Sequence, residues 1–272
     1  VMSNCEAAGP LPTPSSPTAP STATDAATHG NGRRAFLRTA LTGSAALGAA
    51  LALGGAGQAV AAPARPTAAP WPLSSTPATM TPNQALKRLV AGNNRWRAGA
   101  QQHPHESAAR RLEAVSGQQP FALVLSCIDS RVPPELVFDQ GLGDLMVVRS
   151  AGCVLDSAVI GSLKYGVLEL NIPLLVTLGH QHCGAVKAAI QTAETGAQLP
   201  EHLDYLVDRI IPSIDHTTTG EAQVDATTNA FTRSVRDTLS AEVDIAPRVA
   251  DGRIKVVSAR YQLTTQRVHG LA

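Results

Sequence analysis

The stretch that decides the fold is Phe121 to Glu135, "FALVLSCIDSRVPPE". Phe121 to Leu125 is a short, unbroken apolar run, the pattern of a parallel strand covered on both faces. Directly after it, a thiol (Cys127), a carboxylate (Asp129) and a guanidinium (Arg131) stand at alternate positions. A buried strand has no use for three such groups. They belong beyond its carboxyl end, where open parallel sheets bind their ligands.

A second apolar run, "IPLLVTLG", contains a strand over Leu174 to Leu178 and leads into "HQHCGAV". There His180 and Cys183 form an H-x-x-C turn entering a helix. If the two strands are neighbours, two thiolates and one imidazole converge, and a Cys₂His set with a vacant fourth position is characteristic of catalytic zinc. Spacing alone leaves a plainer alternative, in which Cys127 and Cys183 are small buried hydrophobes and His180 is a turn histidine. His182 is a rival imidazole, but its place beside Cys183 suits metal sharing poorly and it reads as a loop residue. Cys153, in "RSAGCVLD", follows a third strand and could replace either thiolate; otherwise it is an unreactive thiol.

Around these motifs strands alternate with helices. Thr81 caps a helix with Pro82 at its first position and Gln84 completing a capping box, and Gly92-Asn93 is expected to stop it. A second helix, Glu106 to Val115, places Ala108, Leu112 and Val115 on one face. Strands follow at Pro120 to Ser126, Leu145 to Arg149, Leu174 to Leu178 and Arg253 to Tyr261. Helices are expected from Asp156 to about Leu170, along "CGAVKAAIQTAETG", and at about Glu201 to Ile214 and Ala222 to Ser240. The fold class is therefore α/β, a mainly parallel β-sheet flanked by helices.

The 272 residues are 44% hydrophobic with formal net charge +1, enough apolar material for a sizeable core and no basic excess that would point to nucleic acid. Val1 to Gly32 is rich in Pro, Ser, Thr and Ala, a composition that cannot offset its ordering entropy. Arg33-Arg34 and Phe36-Leu37 then precede an Ala/Gly/Leu stretch ending in Ala59-Val60-Ala61, which resembles a twin-arginine export signal with an A-x-A cleavage site. Residues 1–62 are read as this signal, 63–80 as a Pro/Ala linker and 81–272 as the folded domain. The alternative is a retained anchor, but Thr39 to Ala62 has five glycines, four leucines and one valine, a marginal hydrophobicity for a span. With the signal would go Cys5. Cys127, Cys153 and Cys183 would remain, an odd set that favours metal ligation over a disulfide framework.

"CIDSRVPPELVFDQGLGDLMVVRSAG" together with "LLVTLGHQHCGAV" resembles the beta-class carbonic anhydrases, and the resemblance runs from about Pro82 to His269, taking in "AGNNRW" and "IKVVSARYQL". It implies one Zn²⁺ per chain on Cys127, His180 and Cys183, with Asp129 and Arg131 as the pair beside it and Asp129 a fourth ligand in an inactive state. It also implies Gln118 as a group aimed at substrate, carbon dioxide and bicarbonate as the substrates, and a homodimer often doubled to a homotetramer. Three positions depart from the pattern: Met146 where an aromatic pocket residue is common, Cys153 where asparagine is frequent, and Gln266 where a turn glycine is common. In mechanism, two thiolates neutralise the zinc charge, so water is acidified less than by a three-histidine site. Asp129, held by Arg131, can accept a hydrogen bond from the attacking water, and Gln118 could donate to the developing oxyanion. Rival readings are hydrolysis of a carbon dioxide analogue such as carbonyl sulfide or carbon disulfide, and metal binding without turnover.

Overall fold

The computed structural model describes residues 80–271; the expected signal and the linker up to residue 79 lie outside them. Thr81 builds the expected capping box, its hydroxyl accepting from the Gln84 amide (3.3 Å) while its own amide donates to Gln84 Oε1 (2.8 Å). The helix it starts, α1 (Pro82–Ala98), does not stop at Gly92-Asn93. It runs on to Gly99, whose left-handed φ of 63° ends it. Gly92 is instead a contact residue: a Cβ there would lie 1.7 Å from the Phe138 carbonyl oxygen. Asn93 is buried and ties three segments, donating to Val137 O (3.1 Å) and Gln266 O (3.0 Å) and accepting from the Val268 amide (2.9 Å).

The second helix, α2 (Ala108–Glu113), is shorter than expected and buries none of its residues. Leu112 and Val115 are 77% and 84% exposed, so the apolar face read from the sequence does not enter the core. Arg110 ties the helix to Leu142 O (3.1 Å) and pairs with Glu113 within it (2.9 Å).

Four strands pair in parallel. They are β1 (Ala122–Cys127), β2 (Leu145–Ser150), β3 (Leu174–His180) and β4 (Lys255–Gln262), with a short α3 (Pro134–Val137) between the first two. The connecting helices are α4 (Ser157–Leu168), α5 (Gly184–Thr195), α6 (Leu203–Ile210), α7 (Gly220–Ser240) and α8 (Ala246–Ala250). A fifth strand not read from the sequence, β5 (Arg267–His269), pairs antiparallel with β4. The hairpin between them carries Gln266 at φ 58°, a left-handed conformation that glycine adopts without strain.

The order β2-β1-β3-β4-β5 makes β1 and β3 central, and every residue of both is buried. Alternate residues serve opposite faces: Leu123, Leu125 and Leu175 join one core cluster, while Val124, Leu174, Val176 and Leu178 join the other. From β1 the chain passes to β2 on one side and then to β3 on the other. The crevice between the carboxyl ends of β1 and β3 is thus the switch point of the sheet. Among the described residues, no helix is long and apolar enough to cross a membrane.

Candidate metal centre

At that crevice Cys127 is the last residue of β1, His180 the last of β3, and Cys183 the residue that precedes α5. Their ligand atoms lie within 4.8 Å of one another, and the three residues are 5%, 0% and 2% exposed. Parallel pairing of β1 with β3 brings them together from distant parts of the chain.

The His180 ring settles its own tautomer. Nδ1 lies 2.8 Å from the Gln181 carbonyl oxygen, which can only accept, so Nδ1 carries the proton and Nε2 presents a lone pair. That Nε2 is buried and has no hydrogen-bond partner among the described residues. A buried nitrogen of this kind costs free energy unless something else uses its lone pair, and a metal ion does. The turn holding the ring is pinned in turn: Gln181 donates its amide to Tyr261 O (2.8 Å), and its Oε1 accepts from the Thr264 amide (3.1 Å).

The thiols make the same case. Cys127 is held well below the ordinary thiol value by a hydrogen bond from Cys183, against the effect of burial, with further help from the amides of Asp129 and Gly152. Cys183 is pushed far up, because it donates to the Cys127 thiolate and is itself buried. The two sulfurs thus share one proton, and both can ionise together only with a cation between them; a soft divalent ion such as zinc suits a two-sulfur, one-nitrogen set. The residues therefore fit the metal.

Asp129 stands beside this group, with Oδ2 3.9 Å from His180 Nε2. Its carboxylate accepts from Arg131 three times, from the backbone amide (2.9 Å), Nε (3.0 Å) and Nη2 (2.7 Å). The Arg131 side chain is the main reason that Asp129 is held down to about 2. Ionised and clamped, the carboxylate faces the centre without belonging to it.

Other residues singled out in the sequence lie elsewhere. Cys153 is fully buried, its thiol donating to Leu178 O (3.4 Å), and burial raises it well above an ordinary thiol. Its φ of 66° is left-handed, a conformation that asparagine tolerates well. His182 points away to α7, with Nδ1 2.5 Å from Glu221 Oε2, which also takes Lys187 Nζ (2.6 Å). Met146 packs on α4, where a Cβ on Gly166 would meet its Sδ at 2.9 Å. Gln118 occupies an exposed loop before β1, at the opposite end of that strand from Cys127. The strand alone separates the two by about 17 Å at ~3.3 Å per residue.

Sequence reasoning missed two contributors. Arg149, near the end of β2, donates from Nε to Cys127 O (2.9 Å) and from Nη2 to Asp129 O (2.6 Å), while the Gly152 amide points at Cys127 Sγ (3.3 Å). Contacts to main-chain carbonyls leave no residue pattern to read; the only hint was "RSAG" at a strand end.

A buried two-sulfur, one-imidazole centre at the switch point of a parallel sheet, with a clamped carboxylate beside it, fits an α/β enzyme with a metal-binding site. The comparisons give its family. The carbonic anhydrase family profile matches residues 122–268. Carbonic anhydrase 2 of Mycobacterium tuberculosis is 42% identical over 188 residues, covering 68% of this chain and 91% of that protein. The carbonic anhydrase of Mycolicibacterium smegmatis is 38% identical over 193 residues, covering 65% and 94%. Among solved structures, the beta-carbonic anhydrase CcaA superposes with a TM-score of 0.54 at 24% identity, covering 67% of this chain and 93% of its own. A tetrameric beta-carbonic anhydrase from Sordaria macrospora gives 0.54 at 21%, covering 70% and 98%. The chain belongs to the carbonic anhydrase family, and its fold is that of the beta class.

Proposed function

We propose that this chain catalyses the reversible hydration of carbon dioxide to bicarbonate and a proton, with one zinc ion held by Cys127, His180 and Cys183. The observation that carries the reading is the buried donor group with its unpartnered His180 Nε2, set 3.9 Å from a carboxylate that Arg131 restrains. Zinc, when bound, supplies the positive charge that lets water act as a nucleophile near neutral pH. Asp129 accepts a hydrogen bond from that water and orients its lone pair towards carbon dioxide. Arg131 engages the carboxylate so that it does not take the fourth ligand position itself, which argues against a storage or sensing site without turnover. Gln118, at the far end of β1 in its own chain, could donate to the substrate only from another copy of the chain. That geometry favours a homodimer or homotetramer as the working unit.

Hydrolysis of carbonyl sulfide or carbon disulfide has no comparable support, since the relatives that span most of this chain are carbonic anhydrases by name. The test is stopped-flow hydration of carbon dioxide by the zinc-loaded protein. No turnover above the buffer rate, with one zinc per chain present, would refute the reading.

Export through the twin-arginine route is part of the same proposal, supported by Arg33-Arg34 and the Ala/Gly-rich stretch that follows. Zinc loading before export would protect the two thiolates from oxidation. Replacing Arg33 and Arg34 by Lys should retain the metallated protein inside the cell; unimpaired secretion would defeat this part.

A further inference from the structure

Arg131 fixes the Asp129 carboxylate, but it sits on the same loop, two residues away. A pair inside one loop can swing as a unit unless the main chain is held from outside. That outside hold comes from β2. Arg149 lies opposite Ser126 in the register with β1. Its guanidinium faces three carbonyls of this loop: Nε donates to Cys127 O at 2.9 Å, and Nη2 to Asp129 O at 2.6 Å and, more weakly, to Val132 O at 3.4 Å. Carbonyl dipoles converging on one spot repel one another, and a planar cationic fork is the side chain that can satisfy them together.

The loop closes on itself at the same place, the Val132 amide donating to Asp129 O at 3.1 Å. Three residues beyond Arg149, the Gly152 amide meets Cys127 Sγ at 3.3 Å. One segment of β2 and its following turn thus holds both the ligand residue Cys127 and the main chain that carries Asp129.

We propose that Arg149 is a positioning residue for Asp129. It fixes the loop to the sheet so that the Asp129–Arg131 pair stays beside the metal centre and the carboxylate stays off the metal. The inference rests on the catalytic reading above, but its effect on geometry can be read without turnover.

The test uses the full chain loaded with cobalt(II) or zinc, with Arg149→Met and Arg149→Lys, each alone and combined with Asp129→Asn. Arg149→Met should keep one metal per chain and the thiolate-to-cobalt charge-transfer bands. Its ligand-field bands should shift as the carboxylate enters the fourth position, and Asp129→Asn should abolish that shift. With zinc, kcat should fall roughly 30-fold while KM stays within about twofold, the mark of an interaction that matters in the transition state. Arg149→Lys, which keeps the charge but not the fork, should recover only part of the rate and carries the same comparison if Arg149→Met does not fold.

A ligand-field shift that persists in the Asp129→Asn background, or no shift at all, would overturn the proposal, as would loss of the metal. If the wild-type protein fails to hydrate carbon dioxide, the catalytic reading falls; the cobalt comparison still decides the positioning of Asp129.

Discussion

Arg131→Ala tests how much the clamp on Asp129 matters. The substitution removes the Nε and Nη2 donors at 3.0 and 2.7 Å and leaves the backbone amide at 2.9 Å. Arg131 is the first cause of the drop in the Asp129 pKa from 3.8 to about 2, a difference that corresponds to about 2.5 kcal/mol at ~1.36 kcal/mol per unit. The Arg131 side chain is 52% exposed, so solvent screening reduces this to about 1–1.5 kcal/mol. Freed by that amount, the carboxylate gains roughly tenfold in its tendency to leave the clamped position. With Oδ2 already 3.9 Å from His180 Nε2, a side-chain rotation brings it to the centre. The variant should keep one zinc per chain and lose about tenfold in kcat/KM at pH 8. The loss should be deepest near pH 7 and smaller near pH 9, because deprotonated water competes better with a carboxylate. Asp129 remains ionised throughout this range, so its own titration does not intervene. Stopped-flow hydration with a pH indicator, zinc analysis and zinc-edge X-ray absorption measure these quantities. Wild-type rates from pH 7 to 9 with zinc retained would show that the pair is merely structural.

Cys183→Ala should lose zinc and activity, whereas Cys153→Ala should keep both; metal analysis after gel filtration distinguishes this from the reverse assignment. Gly92→Ala should lower the melting temperature by roughly 6–12 °C, from an overpacking cost of about 3 kcal/mol where the new Cβ meets the Phe138 carbonyl; the small gain usual for this exchange in a helix would contradict the packing. Asp139→Asn breaks a pair with Arg95 in which the Asp139 side chain is only 2% exposed, and should cost about 2–4 kcal/mol at neutral pH. Burial raises the Asp139 pKa, but Arg95 and the amides of Gln102 and His103 more than offset it, leaving it below 3.8. That stabilisation is present above pH 3.8 and lost as the pH falls through the folded value, so the melting curves of wild type and variant should converge in acid.

The centre was legible because its chemistry stands where strands end. Cys127, His180 and Cys183 interrupt apolar runs, and polar groups at such breaks have few uses in a core. Arg149 was not legible, since its partners are carbonyls that every residue possesses. Gly92 was misread because a glycine that ends a helix and one that admits a neighbouring backbone look alike in one dimension; only the packing of α1 on Phe138 separates them. Leu112 and Val115 follow helical spacing without entering the core, because spacing reports a face and not what covers it. β5 has three residues, too few for alternation to register.

Asn93 also sets a timetable for synthesis. Its side chain waits for partners 44 and 173 residues further along the chain. At translation rates of about 5–20 residues per second, the second partner emerges roughly 10–35 s after α1 does. For that interval Leu86 and Leu89 have only part of their final cover, since Val268 and Leu271 belong to the same apolar cluster. Part of this cluster therefore stays open to proteases and to neighbouring chains until the last strand appears, and slowing translation between α1 and β5 should lower the yield of folded protein more than slowing it ahead of α1.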